Sequence, residues 1–104
     1  MKADTLKGHL DVLVLAALRG GPAHGYAVID SLRVRSAGAF DLAEGTVYPV
    51  LHRLEAAGLL ASSWSDAAGR RRRVYRLTRR GRSALATRER DWRDFAAAVE
   101  AVLA

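Results

Sequence analysis

From Glu44 to Gly81 the chain reads EGTVYPVLHRLEAAGLLASSWSDAAGRRRRVYRLTRRG, and this stretch constrains the fold more than any other. It divides into a short helix with a polar outer face, a hairpin carrying an arginine run, and the start of another helix. Arg70, Arg71, Arg72, Arg73, Arg76, Arg79, Arg80 and Arg82 fall within thirteen residues, and no acid lies between Ala67 and Arg88. Eight like charges without a counter-charge repel one another, so the run calls for an anionic partner outside the hairpin. A compact helix beside a basic β-ribbon is how a winged helix grips a DNA groove and the phosphates flanking it.

The rest of the composition narrows the alternatives. With 104 residues, half of them hydrophobic, the chain can bury one core but not two. A net charge of +6 favours a polyanion without choosing among DNA, RNA and an anionic membrane. The absence of cysteine excludes disulfides, thiolate metal sites and cysteine nucleophiles. His9, His24 and His52 do not form an i, i+4 pair, and no local acid cluster completes a metal site. His24 instead suits a helix start or an interhelical contact. The serines lack His and acid partners at local spacing, and no glycine-rich phosphate loop is present, so neither an enzyme nor a cofactor is expected. The N-terminus carries no signal-peptide pattern and no apolar run reaches the ~18 residues of a membrane span, so a cytoplasmic location is expected. Arginine outnumbers lysine fifteen to two, a bias of GC-rich bacterial genomes.

Periodicity supplies the elements. Leu6, Leu10, Leu13 and Ala17 keep helical spacing while Val12, Val14, Leu15 and Leu18 fill the other faces, the pattern of a buried central helix capped by Asp4 or Thr5. A second helix is expected from His24 to about Arg35, with Tyr26, Ile29 and Leu32 on its inner stripe. A third runs from Glu44 to Ala57 and stops at Gly58; Val47, Val50, Leu51 and Leu54 face inward. Gly45, Pro49, His52, Arg53 and Ala56 point the other way, with Tyr48 on the flank. Leu59–Trp64 and Val74–Leu77 read as strands, and Thr78 as the cap of a last helix reaching about Leu103. On that helix Leu85, Trp92 and Val99 repeat every seven residues, with Phe95 and Val102 offset by three, a seam for a second copy.

LKGHLDVLVLAAL, GPAHGYAVI, EGTVYPVLHRLEAAGLL and GRRRRVYRLTRRG, in this order and spacing, resemble the PadR family of bacterial transcriptional regulators. The resemblance covers about Leu6 to Leu103 and is nearest the small subfamily with a single C-terminal helix. It implies a mainly α fold with a small β-hairpin wing, a winged helix-turn-helix over residues 1–78 followed by a dimerisation helix over 79–104. It further implies a homodimeric repressor on a roughly palindromic operator, released by an effector. Thr46, Tyr48 and Pro49 match the family's recognition-helix motif, Arg73 its basic wing residue, and Tyr75 the aromatic that anchors the wing. Trp92 matches a tryptophan that in some small members lines a ligand site at the dimer centre, so a planar hydrophobic effector is implied there. Ala43-Glu44 replaces a frequent Ser-Pro, which leaves Asp41 or Thr46 to cap the third helix, and Val74 replaces a frequent tyrosine.

The expected DNA surface is therefore Thr46, Tyr48, Pro49, His52 and Arg53 on the third helix with Arg70, Arg71, Arg72, Arg73 and Arg76 on the wing. Leu85, Trp92, Phe95, Val99 and Val102 are the expected dimer contacts. The rival reading is a protein-interaction module whose basic wing meets an acidic partner.

Overall fold

The computed structural model describes Leu6 and residues 8–104; Asp4 and Thr5, the expected first caps, lie outside the described residues. Among the described residues, four α-helices pack with a three-stranded antiparallel sheet: α1 (Leu10–Ala17), β1 (Ala23–His24), α2 (Gly25–Arg35), α3 (Glu44–Ala56), β2 (Leu60–Ser65), β3 (Arg72–Leu77) and α4 (Arg79–Leu103). The sheet order is β1-β3-β2, a winged-helix arrangement in which β2 and β3 form the wing. Leu60 pairs with Leu77 at its base and Ser65 with Arg72 toward its tip. The third strand, β1, was not expected from the sequence. It is two residues long, too short for alternation to show, and it exists because Ala23 and His24 pair with Tyr75 and Val74.

The core includes Val14 and Leu15 of α1 with Leu18 at its C-terminal cap, Val28 and Leu32 of α2, all four inward residues of α3, and Leu60, Tyr75 and Leu77 of the sheet. Burying each large aliphatic side chain contributes roughly 1.5–3 kcal/mol. Two expectations about helix faces are corrected. Leu32 and Ile29 face the core as expected, joined by Gly25 and Val28, whereas Tyr26 is exposed. Positions 25, 28 and 32 keep the i, i+3, i+7 rhythm, and Gly25 lets α3 approach closely. Nor is α1 buried all round: Val12, Leu13 and Ala16 are only partly covered, because they line an open groove described below.

The end of α3 and the start of α4 follow recognisable chemistry, and the start of α3 is an exception. Gly58 takes φ +79°, and the N–H of Leu59 donates to the Leu54 carbonyl at 3.0 Å, closing α3 with a left-handed turn. Thr78 Oγ1 accepts from Gly81 N–H at 3.0 Å and donates to the Gly58 carbonyl at 2.7 Å, so one hydroxyl caps α4 and ties it to the end of α3. At that start the N-cap is Ala43, with no side-chain cap bond, so neither Asp41 nor Thr46 performs that role.

The first two turns of α4 belong to the core. Leu85 is 4% exposed and belongs to the core cluster that includes Leu59, Leu60 and Leu77, which corrects its placement in the exposed seam. Gly81 makes this packing feasible, since a Cβ there would lie 2.0 Å from the Leu59 carbonyl oxygen, a backbone atom that cannot rotate aside. Gly81→Ala should therefore lose about 3 kcal/mol, overriding the ~1 kcal/mol that alanine ordinarily gains in a helix. Thermal unfolding followed by circular dichroism should show a midpoint lower by roughly 15 °C. Gly20→Ala, with open space around the new methyl, is the control and should unfold as wild type does.

Candidate nucleic-acid interface

The outward residues of α3 separate into free and engaged groups. Thr46, Pro49 and His52 are exposed. Pro49 sits inside the helix and has no N–H to offer the Gly45 carbonyl, which leaves that acceptor open on the exposed side. Tyr48 is half-buried. Its ring lies against Gly25, where a Cβ would come within 2.5 Å of the ring, so it locks α3 onto α2 while its flank still lines the cleft toward the wing. The His52 ring is tilted at 6.4 Å from that of Tyr48.

Arg53 is not free. Its guanidinium forms a two-pronged bond to Asp11 on α1, at 2.7 and 3.0 Å, with Arg88 of α4 also 3.6 Å from the same carboxylate. The hydrogen bond from Arg53 holds Asp11 below the usual carboxylate range, although burial opposes it. Arg88 Nη1 is buried without a hydrogen-bond partner of its own. Asp11 thus joins three helices, a link that sequence reading missed because the two ends of the pair lie 42 residues apart.

On the wing, strand alternation sorts the arginines. Arg73 shares the inward face with Tyr75 and Leu77; its Nε donates to Ser62 Oγ at 2.8 Å, and that hydroxyl donates to Glu55 at 2.6 Å. Arg73 therefore ties the wing to α3. Trp64 pairs with it across the strands and is 55% exposed, with the guanidinium of Arg71 4.6 Å and that of Arg73 5.3 Å from its ring centre. Such contacts hold the guanidinium planes without neutralising them. Arg72 stands beside His24, and Arg70 and Arg76 are exposed. The six ion pairs among the described residues include none of Arg70, Arg71, Arg72 and Arg76. Acids pair with Arg19, Arg33, Arg53, Arg73, Arg88 and Arg93, whereas Arg70, Arg71 and Arg72 at the wing tip have no acid partner and share a cleft with Glu44 and Tyr48 of α3.

A model of the transcriptional regulator PadR-like family matches residues 14–87. The chain belongs to that family. A PadR family regulator from Eggerthella lenta superposes with a TM-score of 0.83 at 36% identity, covering 96% of this chain and 86% of that one. A second, from Clostridium difficile, gives 0.82 at 31% identity over 93% of this chain and all of the other, 100%. A transcriptional regulator of Mycobacterium tuberculosis is 56% identical over 46 residues, 44% of this chain and 43% of its own length. The protein is a PadR-like transcriptional regulator, and regulators of this kind work on DNA.

Beyond its buried first turns, the α4 helix of this PadR-like protein carries an apolar surface. Trp92 is 48% exposed, Phe95 60% and Val102 85%, with Val99 and Leu103 between and beyond them. The Trp92 ring meets His9 edge-on at 5.3 Å and Phe95 at 6.2 Å. Beside it Leu6, Val12, Leu13, Ala16 and Phe40 line an apolar groove of about 470 Å3. Among the described residues no helix is long and apolar enough to cross a membrane.

Proposed function

We propose that the chain is a homodimeric cytoplasmic repressor that binds a roughly palindromic operator and is released by a planar hydrophobic effector. The observation that carries the reading is the unmatched charge of Arg70, Arg71 and Arg72, which share a cleft with Glu44 and Tyr48 of α3, the helix that also exposes Thr46, Pro49 and His52. The start of α3 enters the major groove and reads base edges, while the wing neutralises phosphates alongside. Arg53 and Arg73, held by Asp11 and Glu55, orient these parts. The apolar row of Trp92, Phe95, Val99 and Val102 pairs with a second copy, which sets two recognition helices about one DNA turn, ~34 Å, apart or a multiple of it. Binding selection from random duplexes tests this directly. A palindromic consensus is the expected result; salt-sensitive but sequence-blind binding would overturn the sequence-specific reading and leave open a wing that meets an acidic protein surface.

The effector is assigned to the groove beneath Trp92, whose indole is half-exposed against an apolar wall. A planar aromatic can stack there. To release DNA it must favour the non-binding arrangement by a few kcal/mol, since equal affinity for both states shifts nothing. In a Trp64→Phe background, planar dyes should quench Trp92 at micromolar concentration and lower operator affinity. Quenchers that leave operator affinity unchanged would make Trp92 a packing residue alone.

A further inference from the structure

His24 brings a helix cap and a wing arginine onto one imidazole ring. Its Nδ1 accepts from the N–H of Ala27 at 3.2 Å, which caps α2. A neutral imidazole has one lone pair for hydrogen bonding, so with Nδ1 accepting, the proton sits on Nε2. That nitrogen lies 2.9 Å from Nη1 of Arg72, and a guanidinium can only donate. In that tautomer the Nε2–H and the Arg72 guanidinium are two donors side by side, both partly exposed on one cleft. The other tautomer accepts from Arg72 but turns an N–H toward that of Ala27 and loses the cap. Protonation is no remedy, because it leaves the ring without any lone pair. Burial first, then the charges of Arg72 and Arg70, hold the imidazole below its ordinary range and so keep it neutral.

We propose that His24 Nε2–H and Arg72 together hold one backbone phosphate of the DNA, in the cleft between the wing and the start of α3. The cleft measures about 550 Å3 and is walled by Tyr48 and Trp64. A phosphodiester oxygen seated against both nitrogens accepts from each and leaves the Ala27 cap intact. Arg70 and Arg71 line the same cleft and add charge, while Glu44 also lines it and repels an anion from its own neighbourhood. His24 is then a binding residue whose tautomer is fixed by the helix that it caps. The assignment rests on the DNA-binding reading above and adds to it a named donor pair.

The two donors leave different signatures. Arg72 releases a counterion from the phosphate that it neutralises, so Arg72→Ala should flatten the log–log salt dependence by ~0.9 per protomer. Neutral His24 neutralises nothing. His24→Asn keeps an oxygen to cap Ala27, so it should melt as wild type does. It should weaken binding to every duplex alike, about tenfold per protomer, with the salt slope unchanged. Because both groups hold one phosphate, the two losses should not add in the double variant. Titrations use the duplex recovered by selection, with inorganic phosphate as the second probe, read by nitrogen NMR of the His24 ring. Full additivity, or wild-type affinity in His24→Asn, would overturn the shared site. Ring signals that saturate with inorganic phosphate and ignore duplex would make it a site for free anions and overturn it equally. Wild type without any duplex affinity would instead sink the DNA-binding reading itself, a result distinct from the other three.

Discussion

Val99→Asp is expected to convert a dimer into a monomer and to lower operator affinity by about four orders of magnitude. Val99 is 38% exposed in the single chain, on the stretch of α4 that has left the core. In the proposed dimer it meets the partner's apolar row, and an unpaired charge buried there costs several kcal/mol. Separated protomers each engage one half-site and keep about half of the binding free energy. For a dimer of ~10 nM affinity, halving that free energy gives a dissociation constant near 100 µM. Sedimentation should find wild type as a dimer at tens of micromolar and the variant shifted toward monomer, with its thermal melt otherwise cooperative. A wild-type protein that sediments as a monomer at such concentrations removes the seam from the mechanism.

The legibility of this chain was uneven, for physical reasons. The four buried positions of α3 were evident because one helix face repeats at a period the sequence displays. The caps at Gly58 and Thr78 were equally plain, since each depends on residue chemistry within a few positions. What escaped was whatever depends on distant partners. β1 takes its pairing from β3, some fifty residues on, and Arg53 is claimed by Asp11 from another helix. Leu85 shares its seven-residue spacing with Trp92 and Val99 but lies in the core, because the helix enters solvent only after it. A heptad rhythm states which residues share a face and not where along the helix the covering element ends. The breadth of apolar residues on α1 had a second explanation that the pattern alone does not separate: one face meets the core and another lines a groove.

The arginine run was legible as a charge but not as parts, and the difference sets the second large expectation. Arg70→Ala with Arg71→Ala should weaken operator binding by roughly three decades at 0.1 M salt while the fold keeps its stability. Neither residue enters an ion pair among the described residues, and both are exposed at the wing tip. Each phosphate contact contributes about 0.9 to the log–log salt slope, so two per protomer in a dimer should flatten it by about 3 to 4. Base preference should survive, because phosphate contacts position the protein without reading sequence. Arg73→Ala should behave in the opposite way. It breaks the link through Ser62 to Glu55, so the melting temperature should fall by several degrees, the equivalent of about 1 kcal/mol. Its effect on the slope should be small. Fluorescence titrations of both variants from low to high salt, set beside their thermal melts, separate the two roles. A double variant that keeps the wild-type slope would take the wing tip out of DNA binding and leave α3 to carry it alone.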